Sequence, residues 1–149
     1  MNDETDFNSV YVRLFIRGEY LNPIEVTTLL GIQPSYSYQR GDRYGKDHDK
    51  VRKLGLWSIS SESFVESSEL QVHLEWLLTQ LEPLKDRLIS ITSKADIYAQ
   101  ISCVFSLFNV EWDEQIRPQI LKRVAELNIL FGISIYNLNN LEESLGSKR

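Results

Sequence analysis

Apolar and polar residues alternate along "VYVRLFIRG", residues 10–18. Val10, Val12, Leu14 and Ile16 share one side, and Tyr11, Arg13, Phe15 and Arg17 the other. A period of two with branched residues predicts a strand buried on one face. "LNPIEVTTLLGI" (21–32) predicts a short helix. Asn22 is placed to cap it, Pro23 suits the first helical position, Glu25 completes a capping box, and Gly31 suits a left-handed end. Its stripe of Ile24, Thr27, Thr28 and Leu30 is thin, so this helix must lean on a sheet. "LWSIS" (56–60) predicts a second strand, with Trp57 and Ile59 on one face.

After a serine-rich connection comes the most regular helix. Leu70, Leu74, Leu77, Leu78 and Leu81 fall at helical spacing behind a capping box of Ser68 and Gln71. Pro83 should end or kink it near Glu82, and "PLKDRLISI" restarts it. "ADIYAQISCVFSLF" (95–108) alternates again. Ile97, Ala99, Ile101, Cys103, Phe105 and Leu107 lie on one face; Tyr98, Gln100, Ser102, Val104 and Ser106 lie on the other. "RPQILKRVAELN" (117–128) predicts a helix with Ile120, Leu121, Val124 and Leu127 inward. "ILFGISIY" (129–136) predicts a last strand that buries Phe131, Ile133 and Ile135.

The order is therefore β-α-β-α-β-α-β. It predicts a single α+β domain over residues 10–137, with a disordered tail at 1–9 and a flexible one at 138–149 that Leu138 and Leu141 could tether. The expected architecture is of ferredoxin-like type: a mixed, largely antiparallel four-stranded sheet made of two interleaved β-α-β units, with helices on one face and the leucine-rich helix inserted. The uncovered face would carry Tyr11, Arg13, Phe15, Arg17, Tyr98, Gln100 and Ser102, a polar-aromatic platform.

Composition narrows the class. A chain of 149 residues with 42% apolar and 25% charged residues suits one soluble globular domain with an adequate core. A single cysteine excludes an internal disulfide framework. The polar, acidic start "MNDETDFNS" lacks the features of a signal peptide, and no apolar run approaches a membrane span, so a cytoplasmic protein without a membrane role is expected. Net charge is −5, unevenly spread. Between Arg40 and Lys53 six cations (Arg40, Arg43, Lys46, Lys50, Arg52, Lys53) face three acids (Asp42, Asp47, Asp49), a local +3 that leaves −8 for the rest. An acidic body repels nucleic acid, so none is expected as partner; its one basic segment could meet an acidic protein.

Familiar chemistries fail on spacing. "GDRYGK" has three residues between its glycines, not four, and Asp47 after the lysine, so it is a turn and not a phosphate loop. Arg40-Gly41-Asp42 spells an adhesion tripeptide by coincidence. Asp47 and Asp49 lack the glycine and distal glutamate of a calcium loop. Cys103, His48 and His73 are too few for structural zinc, and Cys103 on an apolar strand face is a core residue, not a nucleophile. His73 reads as a boundary residue. The acidic pairs Glu62/Glu66, Asp113/Glu114 and Glu142/Glu143 look like solvated faces or tails. No metal or cofactor is expected, and no catalytic set.

"YSYQRGDRYGKDHDKVRK" (36–53) survives this elimination best. Tyr36, Tyr38, Arg40, Asp42, Arg43 and Tyr44, with Trp57 behind them, form the candidate binding set, because tyrosine, tryptophan and arginine concentrate at contact hot spots. The competing reading is a solvated loop, with Trp57 in the core. Trp76 and Trp112 read as structural.

"YVRLFIRGEYLNPIEVTTLLGIQP", then "QRGD", "GLWSISSE" and "LQVHLEWLLTQL", resemble the bacterial family catalogued as domain of unknown function 4279, as does the closing "LFGISIY". The likeness spans about residues 10–136. It rests on the Gly31-x-x-Pro34 turn, the Arg40-Gly41-Asp42 loop and the Trp57 strand. It implies no established activity; domains of this sort are suspected as immunity proteins beside toxins, or as accessory binding domains. The expectation is a non-enzymatic binding protein with a protein partner, most concretely an immunity-type inhibitor. One alternative is a small-molecule or nucleotide-binding domain using the open sheet face and the 36–53 loop. Another is an enzyme in which Asp42, His48 or His73 converge.

Overall fold

The computed structural model describes residues 8–108 and 111–139. In chain order its elements are β1 (Ser9–Gly18), α1 (Pro23–Leu30), β2 (Tyr36–Tyr38), β3 (Arg43–Tyr44), β4 (Lys50–Val51) and β5 (Gly55–Ser60). There follow α2 (Leu70–Leu81), a 3-10 turn (Glu82–Leu84), α3 (Lys85–Thr92), β6 (Tyr98–Leu107), α4 (Pro118–Glu126) and β7 (Leu130–Asn137). No helix among the described residues is long and apolar enough to cross a membrane.

Alternation decides the layering. Val12, Leu14 and Ile16 of β1, Trp57 and Ile59 of β5, and Ile101, Cys103 and Phe105 of β6 point to one side. There they meet Val26 and Leu30 of α1, the five leucines of α2, Leu88 and Ile91 of α3, and Ile120 and Val124 of α4 in one continuous core. The helices thus cover one face of a mixed α+β sheet, as the alternation predicts.

The sheet itself departs from the expectation. It has five strands in the order β2-β5-β1-β6-β7, and a separate two-stranded ribbon pairs β3 with β4. The two β-α-β units do not interleave. β5 returns antiparallel beside β1, and β7 lies parallel beside β6 at the opposite edge. The extra strand comes from the 36–53 run, where β2 pairs with β5 and the rest projects as a hairpin arm. Its tyrosines satisfy their backbone groups by joining the sheet edge, where turn residues alone suggested a loop.

Local signals are met unevenly. Asn22 caps α1 by accepting from Ile24 N at 3.0 Å, and Gly31 ends it at φ 68°. Its inner stripe is Pro23, Val26 and Leu30, while Ile24 faces solvent. The capping box of Ser68 and Gln71 does not form: Glu69 occupies the cap, and Gln71 Oε1 accepts from Arg117 N at 2.7 Å, tying α2 to the start of α4. Pro83 breaks the helix as expected, through the 3-10 turn. Leu121 is exposed, and so are Ile133 and Ile135, at 62% and 65%. These two pair in register with buried Cys103 and Phe105, so they point to the core side of the sheet. β7 is an edge strand, however, and the described helices stop short of covering that end.

Ser9 pairs with Ser106 at the start of β1. Most of the two expected tails, with Leu141 and Glu142–Glu143, lies outside the described residues.

His73 is not a boundary residue. It is 1% exposed, its Nδ1 lies 2.6 Å from Ser61 Oγ, and its Nε2 lies 2.7 Å from Ser67 O. Ser61 Oγ also accepts from Val12 N at 2.9 Å. The serine proton therefore goes to Nδ1, and Nε2–H donates to the carbonyl. The pair resembles a nucleophile and its base, yet it is sealed, and its bonds brace the serine-rich connection from β5 to α2 against β1 and α2.

Candidate functional site

The uncovered sheet face is assembled by strand register. Across the sheet, Arg17 of β1 stands between Tyr98 of β6 and Leu56 of β5; Phe15 stands between Gln100 and Ser58; Arg13 stands between Ser102 and Ser60. β2 extends two of these rows, setting Tyr36 beside Ser58 and Tyr38 beside Leu56. Alternation sends every one of these side chains to the face without helices.

The β6 side of this face is closed by its own hydrogen bonds. Tyr98 Oη donates to Gln100 Oε1 at 2.6 Å, and Gln100 Nε2 donates to Ser102 Oγ at 2.9 Å. Gly132 of β7, opposite Ser102, makes room for this chain, because a Cβ there would collide with the Gln100 amide. Ser102 is consequently buried at 1% exposure instead of presented on a platform.

The β1–β5–β2 side stays open. It forms a cleft of about 580 Å3 whose walls are Arg13, Phe15 and Arg17 on one side and Tyr36, Tyr38 and Arg52 on the other. Ser58, Ser60 and Leu56 lie on its floor, and Tyr11 and Glu62 stand at one end. That volume falls within the range usual for small-molecule sites.

The cations of the cleft are held by rings. The Arg17 guanidinium lies 4.4 Å from the Tyr98 ring centre and 5.7 Å from that of Phe15, and Arg13 lies 5.6 Å from Phe15. Phe15 and Tyr98 stack at 5.9 Å beneath them. Across the cleft, Arg52 sits between Tyr38 at 4.0 Å and Tyr44 at 3.8 Å, and its Nη2 donates to Tyr36 Oη at 3.0 Å. Among the described residues no carboxylate pairs with Arg13, Arg17 or Arg52; the ion pairs are Arg40 with Glu19, and Arg123 with Glu75 and Glu82. Among the described residues Arg13 Nε is buried without a hydrogen-bond partner. Stacking on a ring orients a guanidinium plane and leaves its in-plane N–H groups available to an oxyanion. At the far end, burial pushes the Tyr11 hydroxyl above its ordinary pKa, opposed by Arg13 and reinforced by Glu62 and Tyr136, so this phenol is a proton-bearing donor at neutral pH.

The expected binding residues divide. Tyr36 and Tyr38 line the cleft, and Tyr44 backs Arg52. Arg40 turns away, paired with Glu19 at 3.1 Å and laid over the Tyr20 ring. Asp42 accepts from Gln39 N at 2.8 Å and shapes the turn. Arg43 reaches the His48 carbonyl within the arm. Trp57, expected among the binding residues, is instead wholly buried, its Nε1 donating to Thr27 Oγ1 at 3.0 Å, so its ring belongs to the core and not to the cleft wall. Asp42, His48 and His73 do not converge; His48 sits in the exposed arm at φ 50°, and His73 is in the core. Among the described residues there is no group of three metal-binding side chains.

Arg52 was legible only as one cation among six, since nothing in its spacing shows that three tyrosines gather around it. Arg13 and Arg17 were visible on the outward side of β1, but their apposition to the arm depends on β2 joining the sheet.

No curated protein and no solved structure matches this chain. One family model does, over residues 8–138, a span that includes the sheet, the cleft and the arm. The chain therefore belongs to the family described as Domain of unknown function (DUF4279).

Proposed function

We propose that this protein is a non-enzymatic binding domain that seats an anionic small molecule in the cleft between the open sheet face and the arm. One observation carries the reading: Arg13, Arg17 and Arg52 converge on a single cleft, each stacked on a ring and none matched to a carboxylate among the described residues. In a chain of net charge −5, three such cations on one concave surface favour an anion supplied from outside. Contact, not reaction, fits the residue types, because the described side chains that line the cleft include no histidine or cysteine.

The test is a thermal-shift screen of a metabolite panel against the full chain and its Arg13→Gln and Arg52→Gln variants. A true ligand at a hundredfold excess over its dissociation constant stabilises by about 2.7 kcal/mol, and both variants lose the shift. A panel of anions that leaves the melting temperature unmoved would sink the reading.

A second reading keeps a protein partner, in the manner of an immunity-type inhibitor covering a toxin. It is favoured by the arm beyond the cleft, where Arg43, Lys46 and Lys50 are exposed on a two-stranded projection suited to an acidic partner surface. Co-purification from the source cell tests it: a retained protein released by charge reversal at Lys46 and Lys50 supports it, and no retained protein counts against it.

A further inference from the structure

The cleft is polarised along its length, and this names the class of molecule that fits. Resting on the reading above, we infer that the cleft takes a phosphate monoester whose other end donates hydrogen bonds, a sugar phosphate or a nucleoside monophosphate.

Arg13 and Arg17 flank Phe15 on β1, and Arg52 faces them from the arm, so the row Phe15–Ser58–Tyr36 lies between guanidiniums on both sides. A phosphomonoester carries close to two negative charges near neutral pH, with three acceptor oxygens. Arginine is the side chain suited to such groups, because its planar fork donates two parallel bonds. Three forks with no carboxylate partner among the described residues over-supply a monocarboxylate, which carries one charge and two oxygens. Among the described residues Arg13 Nε is sealed without a hydrogen-bond partner, so the Nη groups of that fork are the ones left for an incoming oxygen.

The other end has the opposite character. In the antiparallel register Arg13 stands opposite Ser60, so the next row on this face brings Tyr11 towards Glu62. Among the described residues Glu62 is the one carboxylate that lines the cleft, and with Ser60 and Ser63 it gives that end acceptor groups. Successive rows on one face are about 6.6 Å apart, so phosphate oxygens at the Phe15 row put Glu62 roughly 13 Å away along the strand, within the span of a nucleotide-sized ligand. An acceptor-rich end selects hydroxyl or amino donors, as a sugar or nucleobase carries, and rejects a second anionic group.

The test is isothermal titration of the full chain with adenosine 5′-monophosphate, ribose 5-phosphate, adenosine, inorganic phosphate and succinate. The first two arms distinguish the nucleotide from the sugar source. A phosphomonoester should bind at least about tenfold more tightly than adenosine, inorganic phosphate and succinate. Arg52→Gln and Arg13→Gln should each cost about tenfold or more. Glu62→Gln, an isosteric surface change that spares folding, should weaken the phosphomonoester and leave inorganic phosphate unchanged. Equal affinity for succinate and the esters, or ester binding indifferent to Glu62→Gln, overturns the inference while leaving an anion-binding cleft in place. If none of the five probes binds and the arginine variants alter nothing, both the inference and the reading beneath it fall.

Discussion

Two arginine sites among the described residues are built in opposite ways. Arg123 of α4 is gripped by carboxylates: its Nη1 lies 2.8 Å from Glu75 and its Nε 3.1 Å from Glu82, so its donors are used up joining α4 to α2 and the turn that follows. These partners raise the Arg123 pKa and hold Glu82 below its ordinary value. Arg13, Arg17 and Arg52 are instead held by ring faces, which fix the plane of a guanidinium without consuming its N–H groups. The first arrangement fastens helices together. The second keeps charge poised on the face that no helix covers.

That contrast between covered and open surfaces can be broken most sharply on a single strand. Leu14 and Phe15 are neighbours, one fully buried and the other on the cleft wall. Leu14→Ala should cost about 2–5 kcal/mol in urea unfolding, because it leaves a cavity in the core. Phe15→Ala should cost no more than about 1.5 kcal/mol, the worth of its ring contacts, and should disorder the Arg13 and Arg17 guanidiniums. Equal losses would mean that the open face is packed as firmly as the core.

Ser61→Ala comes next, at about 1–3 kcal/mol, since it strips a partner from buried His73 Nδ1 and from Val12 N. A Ser61→Ala variant as stable as the parent would remove the bracing role.

Burial also pushes the Cys103 thiol up from 9.0 to about 12. A folded-state pKa raised above the unfolded value means a contribution fully present below pH 9 and lost as pH rises from 9 towards 12. The loss should run at about 1.4 kcal/mol per pH unit, absent from Cys103→Ala in parallel melts, and the native thiol should resist a thiol reagent at pH 8 until urea exposes it.

Arg123→Gln should have the smallest effect, about 0.5–1 kcal/mol, because its acidic partners are partly solvated. Glu82 has a lowered folded pKa, so its share is present above the ordinary value of 4.5 and lost as pH falls through the depressed one. The difference between parent and Arg123→Gln should therefore shrink in acid melts. High salt should erode it too.

Legibility followed the range of the interactions. β1, the leucine stripe of α2, the Pro83 break and the Asn22 and Gly31 caps rest on residues within one or two turns of each other, so a linear pattern carries them. The failed capping box at Ser68 shows the limit: Gln71 had a better offer from Arg117, 46 residues away. Ile133 and Ile135 alternate as a buried strand does, yet edge placement exposes them. His73 looks like a boundary position until Ser61 is brought against it.

The candidate site divides along the same line. The chain alone marks Arg13, Phe15 and Arg17 as one side of a strand and Tyr36 and Tyr38 as aromatic neighbours, because a two-residue period needs no partner to be visible. That these five share a cleft, and that Arg52 closes it from between two tyrosines, depends on β2 hydrogen-bonding to β5 and on β5 lying against β1. Strand order is set by which edges meet when the core forms, a choice among long-range contacts that local pattern leaves open. In this protein the identity of the outward side chains was therefore written in the linear order, and their convergence on one cleft was decided by folding.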